Sequence, residues 1–220
     1  MEIIRRIGAL LEEEYGRPEF SPDLKPLDEF VLTILSQNTS AANYRKAFAG
    51  LRDRFKTWDE VRRADVKDIE DAIRCGGLAK IKAERIKASL DEIYARYGKL
   101  DLDFLSKMSD GDARAYLMQF NGVGIKTASC VLMFSMGRPI FPVDTHVHRI
   151  AGKLGLIGPK VSAEEAHGIL QDMIPDEMVY SMHVNLVTHG RRTCKARNPA
   201  CDVCPLLEMC SFGQRTLEVA

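Results

Sequence analysis

The chain has 220 residues, 45% of them hydrophobic, and its 31 basic and 31 acidic side chains give a formal net charge of zero. That length and apolar content allow a substantial core, in one large domain or two small lobes, without disulfide staples. No stretch reaches the roughly 18 uninterrupted apolar residues of a membrane span, and the balanced charge excludes a uniformly basic nucleic-acid-binding domain.

The charges are unevenly placed, however. Between Ala113 and Val143 the charged residues are Arg114, Lys126 and Arg138, and between Met178 and Cys201 they are Arg191, Arg192, Lys195 and Arg197. Acids crowd instead into stretches such as Asp59 to Asp71. A neutral protein of this kind is able to carry a cationic face.

Read in order, the chain opens with MEIIRRIGALLEEEYG, where Ile3, Ile4, Ile7, Leu10 and Leu11 share one helical face and Gly16 and Pro18 mark an end. Its arginines and glutamates distinguish it from a secretory signal, so the protein is expected inside the cell, in the cytoplasm or nucleoid, without a membrane partner. Helices are expected over Leu27 to Gln37 and Ser40 to Phe55, joined at the polar SQNTS turn, with Ser40 as an N-cap. Then come WDEVRRA, VKDIEDAIR, a break at Gly76-Gly77 and the long helix KIKAERIKASLDEIYARY. No run of strict alternation long enough for a sheet occurs, so the fold class is all-α.

The stretch DARAYLMQFNGVGIKTASCVLMFSMGRPIFPVDTHVHR, from Asp112 to Arg149, organises the rest. Asn121-Gly122-Val123-Gly124 sits between a short amphipathic helix and a nearly all-apolar one running from Ile125 to Met136. Glycines there permit positive φ and close backbone approach, which suits either a tight turn between helices or a phosphate contact. Lys126 lies in the first turn of the apolar helix, where both the helix dipole and burial disfavour its charge. A lysine so placed is a candidate nucleophile, since the neutral amine forms Schiff bases. Asp144 follows a run held extended by Pro139 and Pro142, and reads as an N-cap whose carboxylate would also stabilise a developing positive charge.

Helices are expected again over Ser162 to Met173 and Glu177 to Val187, followed by an irregular, cysteine-bearing tail. The five histidines lack ligand spacing, and Cys75 and Cys130 read as buried free thiols within helical patterns. Cys194, Cys201, Cys204 and Cys210 differ, because their C-x6-C-x2-C-x5-C spacing suits a tetrahedral zinc or an iron–sulfur cluster. Arg191, Lys195 and Arg197 flank the first ligand and would serve as phosphate contacts on a stiffened loop.

Taken together, FNGVGIKTASCV, PVDTHVHR and the cysteine tail after HGRRTC resemble the endonuclease III family of DNA glycosylases, from Leu27 through Cys210. TWDEVRRADVKDIEDAI and KLDLDFL are in addition similar to the glycosylase domain of the plant 5-methylcytosine DNA glycosylases. The resemblance implies a two-lobed helix-hairpin-helix fold with a C-terminal iron–sulfur loop. Its six-helix barrel would span 24–138, and a discontinuous second domain would comprise 1–23 and 139–220, with the cluster loop at 194–210. It implies a [4Fe-4S] cluster on Cys194, Cys201, Cys204 and Cys210, a catalytic Lys126 and a catalytic Asp144. Gln37 would fill the gap left by a flipped base and Leu78 would be an intercalating wedge. The expected partner is double-stranded DNA with a damaged base or an abasic site, bound by a monomer. The implied activity is excision of a pyrimidine followed by strand nicking. A monofunctional mismatch glycosylase acting on T/G pairs or adenine, or a non-catalytic helix-hairpin-helix DNA-binding protein, are the alternatives. Two departures, FNGVG for LPGVG and SQNTS for SAQATD, leave the base specificity open.

Overall fold

The computed structural model describes residues 2–218, whose regular structure is all helical, with no strand among them. The chain divides into two compact units, one of residues 22–136 and one that joins residues 1–21 to 137–220.

The unit of residues 22–136 holds α2 (Pro26–Ser36), α3 (Ala41–Arg54), α4 (Trp58–Arg63), α5 (Val66–Ala72), α6 (Ala79–Tyr97), α7 (Asp110–Leu117) and α8 (Ile125–Met136). Helix α8 is apolar on nearly every side, and Cys130, Val131, Leu132 and Met133 are buried, which is how a central helix should read. Helix α2 packs against it and contributes Phe30, Val31, Ile34 and Leu35 to the core. The start signals act as expected, with Ser40 Oγ accepting from Asn43 N at 3.3 Å, and Thr57 and Ser109 capping α4 and α7 in the same way. One expectation fails at Cys75, which is exposed in a single 3₁₀ turn over Arg74–Gly76. The glycine pair ends the helical path three residues earlier than the periodicity suggested, and the thiol turns outward.

The other unit is built from α1 (Glu2–Tyr15), α9 (Thr145–Leu154), α10 (Ala163–Met173), α11 (Val179–Arg192) and α12 (Ser211–Glu218). Helix α1 lies on α11 and buries Ile4, Ile7 and Leu11. The tail is less irregular than its composition suggested. The non-helical path is confined to the segment between α11 and α12, interrupted by a 3₁₀ turn over Leu207–Met209.

Candidate active site

The hairpin is anchored by buried side chains in and just after the last turn of α7. Phe120 is 2% exposed and packs edge-on against Phe30 and Tyr116, at ring-centroid distances of 5.3 and 5.5 Å. Burying such a ring stabilises the turn by about 1.5–3 kcal/mol. Val123 is also buried, and its amide donates to the Phe120 carbonyl at 3.0 Å, so Val123 shapes the turn from within. Asn121, Gly122 and Gly124 are exposed, and neither glycine amide is used in backbone hydrogen bonding among the described residues. Gly122 has φ +77°, which favours glycine, and a Cβ there would lie 2.5 Å from the Arg85 guanidinium and push that side chain aside.

Lys126 is half-buried in the first turn of α8, as its place in the sequence indicated. On α2, Glu29 and Thr33 form a buried polar pair, with Thr33 Oγ1 donating to Glu29 Oε1 at 2.9 Å. Burial pushes the Glu29 carboxyl up to about 7, opposed by the hydrogen bond from Thr33 and by the positive charge of Lys126. Glu29 escaped the sequence reading because a glutamate in the first turn of a helix is commonly a solvated partner of the dipole.

Gln37 and Leu78 stand at two breaks in this unit. Gln37 follows the last turn of α2 and precedes Asn38, at φ 53°, while Leu78 itself adopts φ 49° immediately before α6. Leu78 is 53% exposed, so a large apolar side chain projects from a backbone conformation that costs an L-residue about 1–2 kcal/mol. Neither the strain nor the apolar exposure contributes to stability. Gln37 is held by a small network. Its Oε1 accepts from Arg85 Nη1 at 3.1 Å, and its Nε2 donates to the Gly122 carbonyl at 2.9 Å and to Thr127 Oγ1 at 3.3 Å. The hairpin and the turn after α2 are therefore tied together through one side-chain amide.

In the second unit, Asp144 caps α9. Its Oδ1 accepts from the amides of His146 and Val147 at 2.8 and 2.9 Å, so both cap bonds fall on one carboxylate oxygen. The extended run before it is fixed by side chains of α10 and α11. Gln171 accepts from Phe141 N and donates to the Pro139 carbonyl, both at 2.7 Å. Val143 N donates to His167 Nε2 at 3.0 Å, which leaves the proton on Nδ1 to donate to the Ala163 carbonyl at 2.7 Å. His183 Nδ1 donates to the Pro142 carbonyl at 2.9 Å. Two of the histidines thus hold the backbone that leads into Asp144.

Cys194, Cys201, Cys204 and Cys210 line one enclosed cavity with His189, Lys153 and Gly213. Gly213 N donates to Cys210 Sγ at 3.4 Å, and a Cβ at Gly213 would sit 3.7 and 3.8 Å from Cys210 and Cys201 Sγ. Four sulfurs lining one cavity suit a group bound through thiolates. Burial pushes the free Cys194 thiol up and the free Cys204 thiol up to about 11, so thiolates there need compensating positive charge of the kind that iron supplies. Arg149 braces the loop by donating from Nη2 to the carbonyls of Gly190 and Cys194 at 3.0 and 2.8 Å. Arg191, Lys195 and Arg197 are exposed and form no ion pair among the described residues.

Comparison with known proteins agrees with this geometry. Residues 31–176 match the HhH-GPD superfamily of base excision DNA repair proteins, and residues 194–210 match the iron–sulfur binding domain of endonuclease III. Endonuclease III of Sulfolobus acidocaldarius is 34% identical over 222 residues, covering 96% of this chain and 97% of that protein. A putative DNA glycosylase of Arabidopsis thaliana is 42% identical over 190 residues, or 82% of this chain, which spans 65% of the length of that relative. A non-covalent endonuclease III–DNA complex has the same fold, with a TM-score of 0.83 at 27% identity over 99% of this chain and 98% of that one. The cofactor of the cysteine loop is a [4Fe-4S] cluster. The chain belongs to the HhH-GPD superfamily of base excision DNA repair proteins, within which it is an endonuclease III family member.

Proposed function

We propose that this protein excises damaged or modified pyrimidines from duplex DNA and nicks the strand at the resulting abasic site, with Lys126 as nucleophile and Asp144 as its charged partner. As a family member it is a base-excision-repair DNA glycosylase with AP lyase activity. We infer further that it acts as a monomer inside the cell.

A base within the duplex stack hides its sugar C1′, so the nucleotide must be turned out, at a cost of a few kcal/mol. Gln37 and Leu78 would offset part of that cost by occupying the vacated space. Asn121, Gly122, Val123 and Gly124 would grip the backbone at the hairpin, and Arg191, Lys195 and Arg197 would contact phosphates farther along. The Lys126 amine, once it has given up its proton, attacks C1′ while Asp144 stabilises the oxocarbenium-like charge; the glycosidic C1′–N bond breaks and the base leaves with the proton shed by the new amine, the C1′–O4′ bond opens to give the Schiff base, and loss of a C2′ proton expels the 3′ phosphate, cutting the strand 3′ to the lesion. Cys194, Cys201, Cys204 and Cys210 would hold the cluster, which when bound cross-links their loop and so stiffens its cations. The observation that carries this reading is a half-buried lysine in the first turn of α8, directly after the exposed Gly122 and Gly124.

Borohydride should trap a covalent adduct between the protein and lesion-bearing duplex, and Lys126→Ala should abolish it. Undiminished trapping in that variant would remove Lys126 from the mechanism. Asp144→Asn should bind lesion DNA normally and turn over roughly a hundredfold more slowly. Release and nicking scored separately on duplexes with thymine glycol, dihydrouracil, G·T, uracil and 5-methylcytosine would identify the base.

A further inference from the structure

Lys82 is a buried cation that the reaction does not use. It is 1% exposed, and the hydrogen bonds of its ammonium go to main-chain carbonyls: Nζ donates to the Leu35 carbonyl at 2.7 Å and to the Gly76 carbonyl at 2.9 Å. Burial pushes its pKa down. An apolar residue of similar volume would fill the same space without the several kcal/mol that desolvating an ammonium costs. What the ammonium adds is a fixed distance between two carbonyls. Leu35 lies two residues before Gln37, in the last turn of α2, where helix carbonyls lack partners. Gly76 lies two residues before Leu78 and closes the 3₁₀ turn.

We propose that Lys82 is the positioning residue that sets the separation of Gln37 and Leu78, so that both enter the gap left by an extruded nucleotide together. The proposal rests on the assignment of Gln37 and Leu78 as gap-filling elements. Arg85, three residues on along α6, completes the arrangement by orienting the Gln37 amide. Leu78, Lys82 and Arg85 are spaced by four and three residues, so they share one side of the start of α6. That side is a ruler: it holds one wedge covalently, the backbone behind both wedges through Lys82, and the tip of the other through Arg85. Both wedge turns carry a left-handed residue, Asn38 and Leu78, which leaves their spacing dependent on an external clamp.

The test is strand nicking at an abasic site, measured with the holoprotein on the same oligonucleotide in duplex and in single-stranded form. The duplex requires a gap to be filled; the single strand does not. Lys82→Met should lower duplex nicking roughly tenfold and single-strand nicking less than about twofold, because a misplaced positioning group acts on the step it positions. In a Leu78→Ala background the further loss from Lys82→Met on duplex should shrink, since residues that act through one element are non-additive. Equal loss on both substrates, no loss on either, or full additivity with Leu78→Ala would overturn the proposal. Should Lys82→Met not fold, Lys82→Arg, which keeps a donor of different reach, gives the same readout. If Gln37→Ala and Leu78→Ala themselves leave the duplex-to-single-strand ratio unchanged, the wedge assignment fails instead.

Discussion

Two irregular segments of this protein are braced by one cation each, and they differ in what else supports them. Lys82 joins the carbonyls of Leu35 and Gly76 from a fully buried position. Arg149 joins those of Gly190 and Cys194 from a half-buried one, and further contacts Thr145 O and His146 Nδ1 at 3.3 and 3.1 Å. The segment behind Arg149 also contains four cysteines around a cavity, so a cluster shares the task of fixing its shape. On the proposed wedge assignment, the turns behind Lys82 meet DNA only transiently and rely on side-chain clamps for their stiffness. A loop with a permanent inorganic cross-link tolerates an adjustable, partly solvated brace, whereas a loop that meets its ligand transiently needs a dry one.

The sharpest way to break this contrast is to remove the cross-link. Cys201→Ala should lose the visible absorption of the cluster and destabilise the unit of residues 1–21 and 137–220 by upward of about 4 kcal/mol, as loss of a structural metal typically does, measured by denaturant unfolding. A colourless variant of unchanged stability would show that Arg149 alone suffices.

The interior around α2 offers a second test, in pH dependence. The folded carboxyl of Glu29 is raised from 4.5 to about 7. The folded state therefore binds more protons than the unfolded state between those two values, and stability falls as pH rises through that window before levelling off. Glu29→Gln should remove the slope, stabilising the protein by at most about 3 kcal/mol at pH 8 and negligibly at pH 4, as read from chemical unfolding at the two pH values. An equal effect at both would mean that Glu29 does not titrate in this window.

Arg149→Met should cost less, about 2 kcal/mol, by leaving the Gly190 and Cys194 carbonyls without a charged donor while the visible absorption persists. Bleaching of the variant would make Arg149 part of cluster retention. The smallest effect is expected at the cap of α9, where Asp144→Ala should cost about 1 kcal/mol in thermal unfolding and Asp144→Asn much less, because asparagine caps nearly as well. A large stability loss in Asp144→Asn would undermine its use as a kinetic probe.

Much of this was legible in the sequence wherever the signal is short-range. The Ser40 and Asp144 caps, the hairpin glycines, the place of Lys126 and the cysteine spacing are each contained within a few turns of chain. What escaped was set by contacts at long separation. Lys82 reads on paper as one more solvated base on a charged helix, and its partner Leu35 lies 47 residues away; Arg85 and Gln37 are 48 apart. No local pattern marks a lysine that turns inward to meet a helix end. Cys75 shows the reverse error, since periodicity favoured burial and a glycine-terminated turn reversed it.

Leu78 carries a consequence for anyone seeking a hardier protein. Its left-handed backbone makes it an obvious site for stabilisation, and Leu78→Gly should raise the unfolding free energy slightly, by up to about 1 kcal/mol after the extra chain entropy of glycine is deducted. The same exchange deletes the apolar projection that faces solvent. If Leu78 is the proposed wedge, selection for heat resistance alone would therefore drift toward a sturdier protein that opens the duplex poorly, and screens of variants at this position should score strand nicking beside melting.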